Sequence, residues 1–339
     1  MFPQLPTPAK AGAQLRRPWL RNAASGASTP ENWAPAFAGE ALFLALCLLA
    51  CLAAITPATA QDTGRFVTID AAPSVNITPP RVTIWLPPGY DSAKRRYGVV
   101  YMHDGQNLFV RKRSTFDKVW AADKAVLRLV AAGKIAPVII VGVDQPGEAR
   151  YRQYFPQRLY AAASPKLRAE IDQSAKGPLT GDAYLRFLAD ELKPLIDRSY
   201  RTRRDAAHTA VVGSSMGGLM SCYAFIERPR VFGCAGCVST HWPLTFALQL
   251  VPGDERPALW QGYLTQHLGK PDGRRLWMDH GDKTLDAAYP PFQALLDRDI
   301  AGLGWTKGRD FESRAYPGAE HEENAWAARL DAVFGWLLR

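Results

Sequence analysis

The sequence predicts an α/β fold: a mostly parallel sheet of about eight strands with helices on both faces. Three observations lead there. From Gln61 onward, short apolar runs alternate with helix-like runs, and such alternation builds parallel sheets covered on both sides. Several of the runs, at 138–143 and 209–213 for example, are apolar at every position rather than at every second one, as strands buried on both faces are. One junction, finally, reads as strand, sharp turn and helix around Gly213-Ser214-Ser215-Met216-Gly217.

Taken in order, the strand candidates are 66–70, 82–86, 99–103, 138–143, 209–213, 232–239, 276–279 and 311–316. No helical pattern separates the first two, and Pro79-Pro80 lies between them, so an antiparallel hairpin is expected to open the sheet. Helix candidates lie at 121–132, 181–197, 216–227, 291–301 and 322–338, and the stretch 184–192 has a clear amphipathic pattern. Two segments, 145–179 and 240–273, read as long irregular insertions of the kind that carry lids or binding loops.

The chain divides into three parts. Residues 1–40 are rich in Pro, Ala and Gly without periodicity and are expected to be disordered or to precede the true start. Residues 41–60 hold an apolar run, 41–55, followed by Ala58-Thr59-Ala60. This is the pattern of a signal peptide cleaved after Ala60. A signal anchor and a lipoprotein are the competing readings, the latter because Leu48-Leu49-Ala50-Cys51 resembles a lipobox. A membrane association is expected only through Cys51 lipidation or such an anchor. Residues 61–339 form the catalytic domain, and its expected location is periplasmic or secreted.

Composition excludes several classes. The 339 residues are 47% hydrophobic and 22% charged, which is ample for a globular core. The net charge of +9 is spread along the chain without an aromatic–basic motif, so no nucleic-acid partner is expected. Cys222, Cys234 and Cys237 are an odd set within apolar surroundings and there is no second cysteine pair, so no zinc site is expected and one disulfide stays open.

The chemistry is carried by the elbow. A serine at the centre of G-x-S-x-G sits on a strained turn with its hydroxyl clear of the sheet, which makes Ser215 the candidate nucleophile. It needs a base, and the base needs an acid. His321 follows the last strand after Tyr316-Pro317-Gly318-Ala319-Glu320 and opens the final helix, so it is the candidate base. The acid belongs just past the strand at 276–279, where both Asp282 and Asp286 are available; Asp286 is preferred. An oxyanion needs two fixed N–H donors. The amide of Met216, next to the nucleophile, is one candidate; the amide of Gln106, in the Gly105-Gln106-Asn107 loop after the third strand, is the other. Trp242 and Tyr154, with Tyr151 and Phe155, are candidate substrate-binding aromatics in the two insertions. No cofactor or metal is expected.

Three segments carry a resemblance. Tyr101-Met102-His103-Asp104-Gly105-Gln106-Asn107-Leu108-Phe109, Gly213-Ser214-Ser215-Met216-Gly217-Gly218 and the stretch from Tyr316 to Trp326 with His321 at its centre look like the putative-esterase family of α/β-hydrolases. That group includes enterobactin, feruloyl and acetyl-xylan esterases, esterase D and the antigen 85 mycolyltransferases. The likeness covers nearly all of 82–338. It implies the α/β-hydrolase fold, a Ser215–His321–Asp286 triad and oxyanion amides at Gln106 and Met216. Arg150-Tyr151-Arg152-Gln153-Tyr154 resembles an Arg-x-x-Glu-Tyr segment of some relatives, with Gln153 replacing the Glu. The expected activity is an exported serine esterase acting on a small-molecule or polysaccharide ester, with a polysaccharide acyl ester or a siderophore-type lactone as leading substrates. The rivals are an acyltransferase and a non-catalytic binding protein on the same scaffold.

Overall fold

The computed structural model describes residues 62–339, so the readings of 1–40, 41–60 and Cys51 lie outside the described residues. Eight strands form one sheet: β1 (Arg65–Ile69), β2 (Val82–Leu86), β3 (Gly98–Met102), β4 (Val138–Val143), β5 (Thr209–Ser214), β6 (Cys234–Val238), β7 (Arg275–His280) and β8 (Phe311–Ala315). Their order is β1-β2-β4-β3-β5-β6-β7-β8. β1 and β2 pair antiparallel as a hairpin and β2 pairs antiparallel with β4, while every later pair is parallel. This is the sheet the alternation predicts, and all eight strand candidates are in it.

The helices are α1 (Ala122–Ala131), α2 (Arg150–Tyr154), α3 (Gln157–Ala162), α4 (Pro165–Ala175), α5 (Gly181–Arg186), α6 (Lys193–Ser199), α7 (Met216–Glu227), α8 (Arg256–His267), α9 (Pro290–Gly302) and α10 (Glu323–Leu337). A π-helical stretch, Phe187–Leu192, joins α5 to α6, so the single helix expected at 181–197 is one path with a widened middle.

Successive side chains of a strand point to opposite faces, and the core divides accordingly. Val99 and Tyr101 of β3, with Val211 of β5, join the apolar cluster that includes Leu219 of α7 and Phe292 of α9. Val100, Met102 and Val212 join the cluster that includes Val126 of α1 and Leu330 of α10. Uniformly apolar strands are therefore read correctly as covered twice.

The insertions differ from expectation. Residues 145–179 hold α2, α3 and α4, and 240–273 hold α8, so neither is irregular throughout. Local signals explain part of this. Ser164 caps α4 by accepting from the Leu167 N–H, with Pro165 in the first turn, a position where the missing N–H costs nothing. The loop before α8 is tied by Arg256, whose Nη1 donates to the Pro243 carbonyl at 3.1 Å and whose Nη2 donates to the Gln249 carbonyl at 2.7 Å.

Cys222, Cys234 and Cys237 are free and buried. Cys234 and Cys237 are three residues apart on β6, so their side chains join the clusters on opposite sides of the sheet and cannot bridge.

Candidate active site

The turn between β5 and α7 places Ser215 at φ 57°, ψ −123°, a conformation that costs a non-glycine residue strain. Its backbone N–H donates to the Val238 carbonyl at 3.0 Å, which ties the elbow to the neighbouring strand. Gly213 makes the turn fit. A Cβ there would lie 2.8 Å from the Gly217 carbonyl carbon and oxygen and from Cδ2 of His103.

Across from the elbow, the loop after β7 runs into a short 3₁₀ turn, Thr284–Ala288, that carries Asp286. Its Oδ1 lies 2.6 Å from Nδ1 of His321. Its Oδ2 accepts from the Ser239 hydroxyl and from the Gly281 N–H, both at 2.5 Å. The side chain has no solvent exposure. Burial pushes its pKa up, but the bonds from His321, Ser239 and Gly281 together outweigh that and hold it below the usual carboxylate range.

His321 is fixed by the same loop. Its N–H donates to Thr284 Oγ1 at 2.8 Å, and its ring meets Trp326 edge-on at 5.1 Å and Tyr289 at 5.7 Å. Asp282 does not reach the imidazole. It accepts from the Gly318 N–H at 2.8 Å, and the amides of Asp282 and Lys283 both donate to the Ala319 carbonyl. Asp282 thus staples the histidine loop, while Asp286 meets the ring.

The third piece is the 3₁₀ turn Gly105–Asn107 after β3. Gly105 lies flat on β4, where a Cβ would come within 2.7 Å of the Gly142 carbonyl carbon. Asp104 precedes it at φ 55°, a left-handed conformation that Asp tolerates. Its carboxylate is held bidentate by Arg150, Nε to Oδ1 and Nη2 to Oδ2, both at 2.7 Å. Asn107 ties the turn to the start of α10, its Nδ2 donating to Glu323 Oε1 at 3.0 Å. The amides of Gln106 and Met216 both lie in the first turns of their helices, where backbone N–H groups have no intrahelical acceptor.

These pieces surround one cavity of about 650 Å³, whose walls include Gln106, Arg150, Ser215, Leu285, His321 and Trp326. A second groove of about 590 Å³, between α3 and α8, holds none of the candidate triad. Among the described residues no cluster of His, Cys, Asp and Glu is placed to hold a metal ion.

Trp242 and Tyr154 lie off the cavity wall. Both are fully buried. Trp242 donates through Nε1 to Gln293 Oε1 at 2.8 Å and packs edge-on against Trp260. The Tyr154 hydroxyl accepts from the Asp104 N–H at 3.3 Å, so this ring props the Gly105–Asn107 turn. Tyr151 bonds the Leu244 carbonyl and stacks near Phe246. Tyr151 thus ties the first insertion to the second, while Trp242 and Tyr154 anchor theirs to α9 and to the turn after β3. Of the wall residues without a role in the sequence reading, Phe116, Lys118, Trp120 and Leu285 were missed, while Asp104, Arg150, Glu323 and Trp326 stood only within segments that carry a resemblance.

Comparison with known proteins bears on the family and the fold. The family model described as "Putative esterase" matches residues 77–337. A protein of Bacillus subtilis (strain 168) named YbbA is 25% identical over 163 residues, 48% of this chain and 57% of that protein. An endo-1,4-beta-xylanase/feruloyl esterase of Xylanibacter ruminicola is 27% identical over 160 residues, 46% of this chain and 19% of that protein. The matches thus span less than two thirds of these relatives. Among solved structures, an IroE-like serine hydrolase from Shewanella oneidensis superposes with a TM-score of 0.60 at 20% identity, covering 81% of this chain and 80% of that one. At that identity the likeness concerns the fold.

Proposed function

The chain belongs to the putative-esterase family, and we propose that it is a serine hydrolase of carboxylic esters working through Ser215, His321 and Asp286. The observation that carries the reading is the 2.6 Å contact between His321 and the buried Asp286, with His321 and the strained Ser215 on the wall of one cavity. In this mechanism the Ser215 hydroxyl attacks the ester carbonyl as His321 takes its proton. Asp286 keeps the Nδ1 hydrogen in place and stabilises the imidazolium. The tetrahedral oxyanion is held by the amides of Gln106 and Met216. His321 returns the proton to the leaving alcohol, and water then releases the acid from the acyl-enzyme.

The substrate reading is an ester of a polysaccharide or a siderophore-type lactone. Support comes from a cavity of about 650 Å³ with Trp120, Phe116 and Trp326 on its walls, roughly the size range of small-molecule sites. A feruloyl esterase among the relatives points the same way. We place the enzyme outside the cytoplasm on the strength of the apolar run at 41–55 and Ala58-Thr59-Ala60. No helix among the described residues is long and apolar enough to cross a membrane. N-terminal sequencing of exported protein, expected to begin at Gln61, checks that placement.

The test of the activity is release of acid from acetyl, feruloyl and catecholate-lactone esters by the purified protein and by Ser215→Ala. The substitution is expected to lower kcat by roughly 10⁴-fold or more. A variant that keeps a tenth of the wild-type rate removes Ser215 from the mechanism.

A further inference from the structure

We propose that Ser239 is a positioning residue for Asp286, because the surroundings of its hydroxyl leave the proton only one destination, the carboxylate. The inference rests on the triad reading above. Ser239 lies just past β6 at φ 40°, and its backbone N–H donates to Asp279 Oδ1 at 3.0 Å. Its Oγ has three polar neighbours. Trp326 Nε1 is at 3.1 Å, Arg329 Nη2 at 2.5 Å and Asp286 Oδ2 at 2.5 Å.

A serine hydroxyl has one proton to give and two lone pairs to accept with. Indole and guanidinium nitrogens only donate. Trp326 and Arg329 therefore occupy both lone pairs, and the single proton points to Asp286. With the Gly281 N–H also on Oδ2, that oxygen is engaged twice and Oδ1 is left to His321. The plane of the carboxylate is set before the imidazole arrives.

Arg329 is itself fixed for this task. Its Nη2 lies 3.0 Å from Asp279 Oδ1, and both side chains are almost wholly buried. That nitrogen donates to Ser239 Oγ and forms an ion pair with Asp279 Oδ1. Asp279 Oδ2 accepts from Trp277 Nε1 at 2.7 Å. Other titratable or charged groups near the assembly are Cys237 beside Asp279, Arg314 over the Trp277 ring, Tyr316 against Arg329, and Tyr289 and His241 beside His321. Arg150 acts on the last two from across the cavity.

The hydroxyl has a defined electronic consequence. A hydrogen bond to a carboxylate favours its charged form and disperses the charge. Removing it leaves Asp286 a stronger partner for the imidazolium. The acidic limb of the rate profile, which reports protonation of His321, then moves to higher pH.

The experiment compares wild type, Ser239→Ala and Ser239→Gly by steady-state hydrolysis of p-nitrophenyl acetate between pH 5 and 9, with Ser215→Ala as control and circular dichroism to follow folding. Glycine accepts the φ of 40° at no cost, so it separates the hydroxyl from the backbone. Both variants are expected to lose about tenfold in kcat, the effect of one hydrogen bond on a barrier, with KM within about twofold. Their acidic limb is expected to rise by a few tenths of a unit. Wild-type kcat and profile in Ser239→Gly overturn the proposal, since the residue then serves only the backbone. Loss of folding in both variants assigns the hydroxyl to stability and overturns it equally. If Ser215→Ala is inactive while the Ser239 variants match wild type, this inference alone fails; if Ser215→Ala turns over normally, the triad reading fails.

Discussion

Mild acid weakens this fold before most of its carboxylates are neutralised, because two imidazoles are buried in their neutral form. His103 follows β3 with Nδ1 2.9 Å from the Tyr184 hydroxyl and with Nε2 unpartnered among the described residues. Burial, opposed by Asp104 and helped by Arg150, pulls its pKa from 6.5 to about 4. His241 has Nδ1 2.9 Å from the Tyr289 hydroxyl and Nε2 3.1 Å from the Thr245 carbonyl. Burial, followed by the charge of His321, pulls its pKa from 6.5 to about 3. In the unfolded chain both titrate near their ordinary value. Between the folded and unfolded pKa the unfolded state binds more protons, so stability is full above about pH 6.5 and falls as the pH drops toward about 4 and 3. At pH 5 each group lies about 1.5 units below its unfolded pKa, which at about 1.36 kcal/mol per unit removes about 2 kcal/mol, or about 4 kcal/mol for the pair. Urea unfolding at pH 7.5, 6 and 5 of wild type, His103→Gln and His241→Gln measures this. Each variant loses contacts at every pH, but between pH 7.5 and 5 its stability falls about 2 kcal/mol less than that of wild type. The buried carboxyls of Asp144, Asp279 and Glu323, which burial pushes up, act in the opposite direction and cancel in the comparison. Parallel slopes for wild type and variant would refute the argument that these rings are held neutral.

Three substitutions test the site's construction. Asp286→Asn removes the carboxylate from His321 Nδ1 and is expected to lower kcat by roughly 10³–10⁴-fold. Asp282→Asn can still accept from Gly318 and is expected to stay within about threefold of wild type; comparable losses in both would reverse the assignment of the acid. Gly213→Ala forces a Cβ to within 2.8 Å of the Gly217 backbone, which cannot yield without moving the elbow. It is expected to lose about 1–3 kcal/mol in urea unfolding, the range for overpacking, along with most of the activity; an unchanged midpoint contradicts the steric argument.

Strands and candidate triad positions were legible for the same reason. The inner strands β2, β4, β5 and β6 are short runs buried at every position, and such a run announces itself by apolar composition alone, whereas the edge strands β1 and β8 are partly exposed and show only by their place in the alternation. Ser215, Asp286 and His321 each follow a strand, so finding β5, β7 and β8 placed them at the same end of three parallel strands, with β6 between the first two. The choice between Asp282 and Asp286 was not legible, because both lie in one loop and both bond the histidine loop, one through the Gly318 amide and one through the ring. The insertions misled for a different reason. α2 and α3 are only 5 and 6 residues long, too short for a helical period to show. Their aromatic residues gave no sign of direction, and Tyr154 turns inward under Asp104 rather than toward the cavity.

The support beneath the acid was the least legible part, and the physics says why. Ser239, Asp279, Asp286, Trp326 and Arg329 come from the ends of two strands, a 3₁₀ turn and the last helix, and the Ser239–Arg329 contact spans 90 residues of sequence. Each is an ordinary residue where it stands: a serine after a strand, an acid at a strand end, an arginine on a helix. Only burial turns them into a problem. A carboxylate and a guanidinium withdrawn from water must be paired and hydrogen-bonded or they destabilise the fold by several kcal/mol, of the order of 3–5 for one broken pair. Asp279 and Arg329 are both nearly without exposure, so their mutual contact meets the pairing half of that requirement, while Nε and Nη1 of Arg329 have no hydrogen-bond partner among the described residues. The arrangement that meets it also fills both lone pairs of Ser239 and turns its proton to Asp286. Stability and chemistry therefore place demands on the same atoms here, and a substitution at Arg329 is expected to register in both.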